Sequence, residues 1–294
     1  MEVVLAKHAG FCFGVKRAVK LAEDTANNQS GPAHSLGPLI HNPQVVEALS
    51  RKGVKRVESL SDVKEGVVIF RSHGVSSPEV FEEAQARGLS VVDATCPFVT
   101  NAQKYAKQLV EEHYQVVMVG DRNHPETKSV LGHAGGEVLV TESFDEIKNY
   151  LNKYPKKKLG IISQTTQTYR KFSEIVVKCL EICEEVKIFN TICYATDDRQ
   201  TEAEDLAEKV GAMVVVGGRN SANTTHLAEI CRRSKIPVYH IETAQEIQRN
   251  WFPGIDTVGV TAGASTPDWI IDDVVRYLEG LQPHSCGHDT PARP

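Results

Sequence analysis

The sequence predicts an α/β protein in which three related lobes with mainly parallel sheets surround a central cavity. Two observations predict this fold class. Short β-branched runs alternate with amphipathic helical runs along the chain, which is the pattern of βαβ units in parallel sheets. A cysteine also follows a β-branched run and precedes a helical run at three separated positions, which are Cys12, Cys96 and Cys193. Three copies of one structural unit would account for both observations.

The elements after the three cysteines keep the same order. Each cysteine is followed by a helical run, and these runs cover residues 15–26, 98–112 and 201–210. A strand position follows each helix, over residues 33–37, 116–120 and 213–216. Each strand leads into a loop in which a glycine stands four positions before a polar residue, namely His41, His124 and Ser221. These polar residues lie 29, 28 and 28 positions after their cysteines, so we interpret the chain as a threefold internal repeat.

Each copy continues with a second helix, a further strand and a small polar loop that opens a third helix. These loops cover residues 71–78, 163–167 and 261–267. In two of them, Ser77-Pro78 and Thr266-Pro267 predict the start of a helix, with the hydroxyl as N-cap and the proline at the first helical position.

The two ends of the chain are expected to meet in the third lobe. The third copy ends near Leu281 without a closing strand, and the strand at residues 2–7 has no helix before it. We therefore predict lobes at residues 14–95, 97–192 and 194–281, with residues 1–13 completing the third. Residues 282–294 are rich in Pro, His and Gly and predict a loosely held tail.

Composition and charge exclude several classes of protein. The 294-residue chain is 41% hydrophobic and 24% charged, which is typical of a soluble globular protein. Its net charge of −5 gives no basic field that would attract nucleic acid. Its apolar runs are too short to cross a bilayer, and no segment resembles a signal peptide. We therefore expect a cytoplasmic protein without a membrane or nucleic-acid partner, whose 7 cysteines are ligands or core residues rather than disulfides.

The three repeated cysteines predict a shared metal centre. Ligands of parallel sheets bind beyond the carboxyl ends of the strands, and helix N-termini there favour anions. Nine strand-to-helix loops, three per lobe, would bring three thiolates and several helix N-termini into one cavity. Such a cavity suits a thiolate-bound metal beside a phosphorylated ligand. The spacing differs from paired zinc motifs and favours an iron–sulfur cluster, with zinc as the open alternative.

Other polar residues in the repeated loops are candidates for binding and proton transfer. His41, His73 and His124 lie at strand-to-helix loops, where imidazoles could contact phosphate oxygens or transfer protons. Glu126 stands at the start of a helix and is the best candidate proton donor, although a carboxylate there could simply complement the helix dipole. The lysine triplet at residues 156–158 predicts a solvated loop, or alternatively a docking point for an acidic redox protein.

Six separated motifs resemble the 4-hydroxy-3-methylbut-2-enyl diphosphate reductase family. They are CFGV at residues 12–15, LGPLIHN at 36–42, RSHG at 71–74, DATCP at 93–97, SQTT at 163–166 and VTAGAS at 260–265. The resemblance covers essentially residues 1–281. It implies three α/β lobes around a central cluster and the last step of the non-mevalonate isoprenoid pathway, in which an allylic diphosphate is reduced to isopentenyl diphosphate and dimethylallyl diphosphate.

The resemblance also implies a role for each repeated residue. Cys12, Cys96 and Cys193 would hold a [4Fe–4S] cluster with one iron free of cysteine, which would bind the allylic hydroxyl. Glu126 and Thr165 would supply protons, and a donor such as ferredoxin or flavodoxin would supply single electrons. The residues implied to hold the substrate, with His124 also catalytic, are His41, His73, His124, Thr165, Ser221, Ala222, Asn223 and Ser265. Ala222 departs from the family, because many relatives carry a second serine at that position.

Three alternative functions compete with this interpretation. A zinc-dependent hydrolase or transferase would hold its metal with the same thiolates, and a non-catalytic redox sensor would keep the cysteines without needing Glu126. A nucleotide-binding regulator is disfavoured, because no G-x-G-x-x-G or G-x-x-x-x-G-K-[ST] pattern follows a strand.

Overall fold

The computed structural model describes residues 1–28, 31–154 and 158–281. These residues form three four-stranded sheets, and every strand pairing in them is parallel. The predicted α/β class with three lobes is confirmed. Most of the lysine triplet and the whole predicted tail at residues 282–294 lie outside the described residues.

The first sheet follows the N-terminal strand β1 (Glu2–Leu5) and the first helix. Its elements in chain order are α1 (Phe13–Asn28), β2 (Ala33–Leu36), α2 (Pro43–Arg51), β3 (Val54–Val57), β4 (Val67–Phe70), α3 (Glu79–Ala86) and β5 (Ser90–Asp93). The strand order across the sheet is β3-β2-β4-β5. Strand β4 lies next to the edge strand β5 and is buried along its whole length. Its continuous apolar sequence, Val-Val-Ile-Phe, is typical of a strand that is covered on both faces.

The second sheet repeats this arrangement with one additional helix. Its elements are α4 (Pro97–Glu111), β6 (Gln115–Val119), α5 (Pro125–Ala134), β7 (Val138–Thr141), α6 (Phe144–Leu151), β8 (Lys158–Ser163), α7 (Tyr169–Leu180) and β9 (Glu185–Ile188), in the strand order β7-β6-β8-β9. Successive residues of β6 face opposite sides of the sheet. Met118 packs in one apolar cluster with Val130, and Val117 packs in another with Phe172, so helices cover both faces.

The third sheet combines both ends of the described chain. Its elements are α8 (Tyr194–Ala207), β10 (Ala212–Val216), α9 (Ala222–Arg232), β11 (Val238–Ile241), β12 (Thr257–Ala262) and α10 (Asp268–Glu279). The strand order is β1-β12-β10-β11, with Glu2 opposite Thr257 and Leu5 opposite Val260. On this basis we propose the lobe boundaries 14–95, 97–192 and 194–281, with residues 1–13 in the third lobe.

Several elements differ from those expected. The edge strands β3, β7 and β11 were not anticipated, and α6 adds a strand-to-helix loop to the nine expected. Helix α8 begins at Tyr194, directly after Cys193, rather than near residue 201. In addition, Pro78 and Pro267 occupy the N-caps of α3 and α10 instead of the first helical position, and neither helix has a side-chain cap among the described residues. The hydroxyl of Thr266 donates to the carbonyl of Val216 at 3.0 Å instead.

Candidate active site

One cavity lies where strand ends from all three sheets meet. It encloses about 710 Å³ including its open mouth, which is within the size range of small-molecule sites. Among the residues that line it are all those singled out in the repeated loops, namely Cys12, His41, His73, Cys96, His124, Glu126, Thr165, Cys193, Ser221, Ala222, Asn223 and Ser265. The structure therefore brings together residues that lie as far as 253 positions apart in the sequence.

The three cysteines each stand at the start of a helix. Cys12 directly precedes α1, and Cys96 and Cys193 occupy the N-caps of α4 and α8. All three are free thiols and half-buried. Burial raises the pKa of the Cys96 thiol to about 11, which the backbone amide of Phe98 partly opposes and which the neighbouring cysteine charges reinforce. The thiols are thus close enough to influence one another.

Gly14 keeps space free beside two of these sulfur atoms. A Cβ atom built on Gly14 would lie 2.6 Å from the Sγ of Cys96 and 3.9 Å from the Sγ of Cys12. Contacts below 3.0 Å force the surroundings to shift. The glycine therefore permits α1 to approach both sulfur atoms, and any larger side chain would occupy the space in front of Cys96.

Three histidines form a second group in the cavity. The ring centroids of His41 and His73 lie 4.3 Å apart, and the ring of His124 lies 5.2 Å and 5.5 Å from them. Burial lowers the pKa of all three, that of His124 to about 4 and that of His73 well below its usual value. The rings are therefore neutral near pH 7 and can donate N–H groups without carrying charge.

Two of these imidazoles have a buried nitrogen with no partner. The Nε2 atom of His41 and the Nδ1 atom of His73 make no hydrogen bond among the described residues. The Nδ1 atom of His124, by contrast, accepts from the amide of Glu126 at 3.2 Å and caps α5. Buried polar atoms without a partner are costly in a folded protein, so these nitrogens predict a polar ligand in the cavity.

Glu126 is buried at the N-terminus of α5. Only 2% of its surface is exposed. Its carboxyl group accepts from the amide of Thr165 at 2.6 Å and from the hydroxyl of Thr165 at 2.7 Å. Burial raises the pKa of Glu126, and the two hydrogen bonds from Thr165 oppose part of this shift. A carboxyl group that holds its proton more tightly than usual suits a general acid.

The third lobe contributes an amide and two hydroxyl groups. Ser221 caps α9, and its hydroxyl accepts from the amide of Thr224 at 3.4 Å. Asn223 is 4% exposed, and both polar atoms of its side chain are buried without a partner. The hydroxyl of Ser265 donates to the carbonyl of His41 at 3.1 Å, which links the third lobe to the first. Ala222 lines the cavity with a methyl group between two polar neighbours.

Sequence reasoning overlooked one charged residue in the cavity. Arg199 lies on α8 and is 4% exposed. The signal that could have revealed it is a basic residue on the helix that leaves a repeated cysteine, on the same side as Thr196.

Cys179 and Cys183 share a face of a predicted helix and are expected to pack; Cys179 is fully buried in an apolar cluster, and Cys183 packs partly buried against the same cluster. Cys231 is buried in another apolar cluster, and Cys286 lies outside the described residues.

No helix in the described residues has the length and apolar content needed to span a bilayer.

Comparison with known proteins gives consistent matches. A family model described as LytB protein matches residues 3–279. The 4-hydroxy-3-methylbut-2-enyl diphosphate reductase of Geobacter sulfurreducens is 50% identical over 279 residues, which are 95% of this chain and 97% of that protein. The enzyme of the same name from Geobacter metallireducens is 51% identical over 282 residues, or 96% of this chain and 98% of the relative.

Two solved structures share the fold. One is (E)-4-hydroxy-3-methyl-but-2-enyl diphosphate reductase, described as the terminal enzyme of the non-mevalonate pathway. It is 45% identical, with a TM-score of 0.71 over 95% of this chain and 99% of that chain. The other is the E-1-hydroxy-2-methyl-but-2-enyl-4-diphosphate reductase of Plasmodium falciparum, which is 28% identical with a TM-score of 0.89 over 94% of this chain and 87% of that chain.

Proposed function

This chain belongs to the LytB family, and we propose that its central cavity reduces (E)-4-hydroxy-3-methylbut-2-enyl diphosphate to isopentenyl diphosphate and dimethylallyl diphosphate. The observation that carries this proposal is the meeting of three chemical groups in one cavity. Free thiols come from three lobes, neutral imidazoles with unpartnered nitrogens stand together, and a buried carboxyl group is hydrogen-bonded to Thr165. A metal centre, an anion and a proton donor would each find matching residues there.

We propose that Cys12, Cys96 and Cys193 hold a [4Fe–4S] cluster. The fit is supported by three free thiols that line one cavity and by the space that Gly14 leaves beside two of them. No fourth cysteine lines this cavity within residues 1–28, 31–154 and 158–281, so one iron would have no cysteine ligand. When bound, such a cluster would supply single electrons and a Lewis-acidic iron for the hydroxyl oxygen of the substrate.

The diphosphate group fits the polar side of the cavity. His41, His73 and His124 would donate N–H groups to phosphate oxygens, which would satisfy the buried nitrogens that have no partner. His124 and Ser221 cap helices α5 and α9, whose N-termini carry partial positive charge. These contacts would hold the substrate at a group that does not react, so their binding energy would orient the allylic end.

The amide of Asn223 and the hydroxyl of Ser265 complete this proposed diphosphate site. Both unpartnered polar atoms of Asn223 lie at the N-terminal end of α9, beside the capping Ser221. Ala222 offers only a methyl group where the family resemblance implies a second serine, so this chain would make one hydroxyl contact fewer. We therefore expect weaker diphosphate binding than in a variant that restores that hydroxyl.

Glu126 would deliver the proton that the leaving hydroxyl group needs. The overall conversion consumes two electrons and two protons and releases one water molecule. Burial favours the protonated carboxyl group, and Thr165 fixes its orientation through both its amide and its hydroxyl group. As the C–O bond breaks, a proton from Glu126 would turn the departing oxygen into water. The hydroxyl of Thr165, which donates to the carboxyl group, would then relay a proton from solvent to the carboxylate.

We further propose a cytoplasmic enzyme that receives single electrons from a ferredoxin or flavodoxin. Two electrons must enter in separate steps if an iron–sulfur centre carries them, because such a centre changes by one electron at a time.

The decisive experiment is an anaerobic assay of the purified protein. The protein is incubated with the allylic diphosphate and reduced methyl viologen, and the products, iron, zinc and acid-labile sulfide are measured together. We expect isopentenyl and dimethylallyl diphosphate, with about four irons and four sulfides per chain. One zinc per chain and release of inorganic phosphate or diphosphate would instead indicate the hydrolase alternative, and a loaded cluster without product would indicate a redox sensor.

A further inference from the structure

Arg199 is a buried cation in the cavity that the three thiols line. It follows Cys193 by six residues on α8 and lines the same cavity as Cys12 and Cys193. Only 4% of its surface is exposed. Arginine stays protonated under all ordinary conditions, so this position carries a full positive charge away from bulk water. A buried charge of this kind is stable only where an opposite charge or several hydrogen bonds compensate it.

The contacts of Arg199 leave its charge without a paired carboxylate. One terminal nitrogen donates to the carbonyl of Ala195 at 2.6 Å, and the other donates to the carbonyl of Gly10 at 2.8 Å. The Nε atom is buried and has no partner among the described residues. Both bonds that form go to neutral carbonyl groups. The guanidinium therefore makes no ion pair with a carboxylate in the part of the chain that the structure describes.

The acidic residues near Arg199 do not replace this missing partner. The carboxyl group of Glu202 accepts from the backbone amides of Lys7 and His8 at 2.6 Å and 2.8 Å and from the His8 ring at 2.9 Å. Burial lowers the pKa of Arg199, and the cysteine charges of Cys12 and Cys193 oppose this more strongly than the acidic neighbours do. Within the described residues the guanidinium therefore has no carboxylate partner, and the sulfur atoms of Cys12 and Cys193 would compensate its charge once they are deprotonated.

We propose that Arg199 is a positioning residue that supplies the compensating positive charge for the metal centre held by Cys12, Cys96 and Cys193. The inference rests on the proposed function, in which these cysteines bind as thiolates. Three thiolates bring three negative charges into the cavity, and each electron that enters adds another. A buried guanidinium would stabilise the reduced state more than the oxidised state, since the attraction grows with the negative charge.

The same residue connects two of the three proposed metal ligands. Its bond to the carbonyl of Gly10 holds the loop that precedes Cys12, while its bond to Ala195 holds the first turn of the helix that follows Cys193. A lysine at this position would keep the charge but could not donate to both carbonyl groups as the planar guanidinium does. A glutamine would keep a hydrogen-bond donor but lose the charge. These two substitutions therefore separate charge from hydrogen bonding.

Arg17 provides a matched control. Its two terminal nitrogens also donate to backbone carbonyls, those of Thr95 at 3.1 Å and Asp93 at 3.3 Å, in the segment that carries Cys96. It does not line the cavity and is only partly buried, so water screens its charge. Arg17→Gln therefore removes a positive charge near the proposed ligand Cys96, but that charge is screened by water rather than buried.

The test compares the wild type with Arg199→Lys, Arg199→Gln and Arg17→Gln in the full chain. The midpoint potential of the bound cluster is measured by an anaerobic titration followed by electron paramagnetic resonance. We expect Arg199→Gln to lower the one-electron reduction equilibrium constant about tenfold, which is a shift of about 59 mV to more negative potential. Arg199→Lys and Arg17→Gln should stay close to the wild type. Equal shifts in the lysine and glutamine variants, or no shift in the glutamine variant, would overturn the proposal.

A second measurement does not depend on the cluster. Metal-free protein is titrated with Cd²⁺, whose thiolate complexes absorb in the ultraviolet, and melting temperatures confirm that each variant is folded. We expect about tenfold weaker Cd²⁺ binding in Arg199→Gln and nearly unchanged binding in Arg199→Lys and Arg17→Gln. If the wild type holds no cluster, the proposed cofactor is wrong, and the Cd²⁺ series alone decides the role of Arg199. If both Arg199 variants lose Cd²⁺ binding equally, the residue acts through its hydrogen bonds and the charge proposal fails.

Discussion

Replacing Glu126 by glutamine removes the acidic proton and keeps the size and the hydrogen bonds of the side chain. The glutamine side chain has the same length, its oxygen can accept from the amide of Thr165, and its NH₂ group can donate to the hydroxyl of Thr165. Both contacts of the wild-type carboxyl group, at 2.6 Å and 2.7 Å, therefore have a counterpart. What the variant lacks is a proton that can leave at neutral pH.

The expected loss of activity follows from that proton alone. General acid catalysis typically contributes about 10²–10⁴-fold in rate, which corresponds to about 3–5 kcal/mol of transition-state stabilisation. We expect Glu126→Gln to lower kcat by this factor and to change the KM for the allylic diphosphate little, because Glu126 is not among the groups assigned to the diphosphate. Steady-state reduction of substrate under anaerobic conditions measures both quantities, with iron content as the check on the metal centre.

The same substitution should lower activity without lowering thermal stability. Burial raises the pKa of Glu126, so the folded protein binds this proton more tightly than the unfolded chain does. Such a group costs stability as the pH rises above the unfolded value of about 4.3. Glu126→Gln should therefore melt at the same or a higher temperature than the wild type at pH 8, and this advantage should disappear near pH 4.

The exposed Glu142 serves as the control for this pair of measurements. Its carboxyl group also accepts a hydrogen bond, from the side chain of Gln167 at 2.8 Å, but it lies outside the cavity. Glu142→Gln should leave kcat and the pH dependence of melting unchanged. Near-normal turnover in Glu126→Gln, or a large loss of its stability at pH 8, would refute the assignment of Glu126 as a buried general acid.

Three further predictions test other parts of the cavity. Gly14→Ala should greatly reduce the iron content, since the new methyl group would lie 2.6 Å from the Cys96 sulfur and overpacking costs about 1–3 kcal/mol; a full complement of iron would contradict it. Ala222→Ser should lower the KM about fivefold, the value of one net hydrogen bond, and an unchanged or higher KM would argue against a diphosphate site there. Because burial lowers the pKa of His124 to about 4, the ligand-free protein should lose stability as the pH falls from about 6.5 to 4. Melting curves should show a smaller loss in His124→Asn, and identical losses would remove His124 as the cause.

The sequence predicted the cavity well because the repeat kept its residues in register. Cys96 and Cys193 were found from their place between a strand and a helix, and His41, His124 and Ser221 from a constant distance to their cysteines. The carboxyl ends of parallel strands meet at one edge of a sheet, so residues at equivalent loops of three lobes could be expected to converge.

The elements that were missed lack a local signal. The edge strand β3 is Val-Lys-Arg-Val, which is four residues long and half charged, so its pattern resembles that of a loop. The first turns of α8 bury Thr196 and Arg199 instead of apolar residues, because these two side chains line the cavity rather than a hydrophobic core. Hydrophobic periodicity cannot detect a helix whose buried face is polar. The same reason hid Arg199 from sequence reasoning.

The pairing of β1 with β12 has a consequence for how the chain folds. Glu2 and Thr257 are neighbours in the sheet although most of the chain separates them. During synthesis the first strand leaves the ribosome long before its partner exists, whereas the sheets of the first two lobes can close from contiguous sequence. Closing so long a loop is entropically costly and slow. The third lobe should therefore be the last to gain protection from hydrogen exchange during folding. Removing the N-terminal strand should destabilise this C-terminal lobe, although the two segments lie at opposite ends of the sequence.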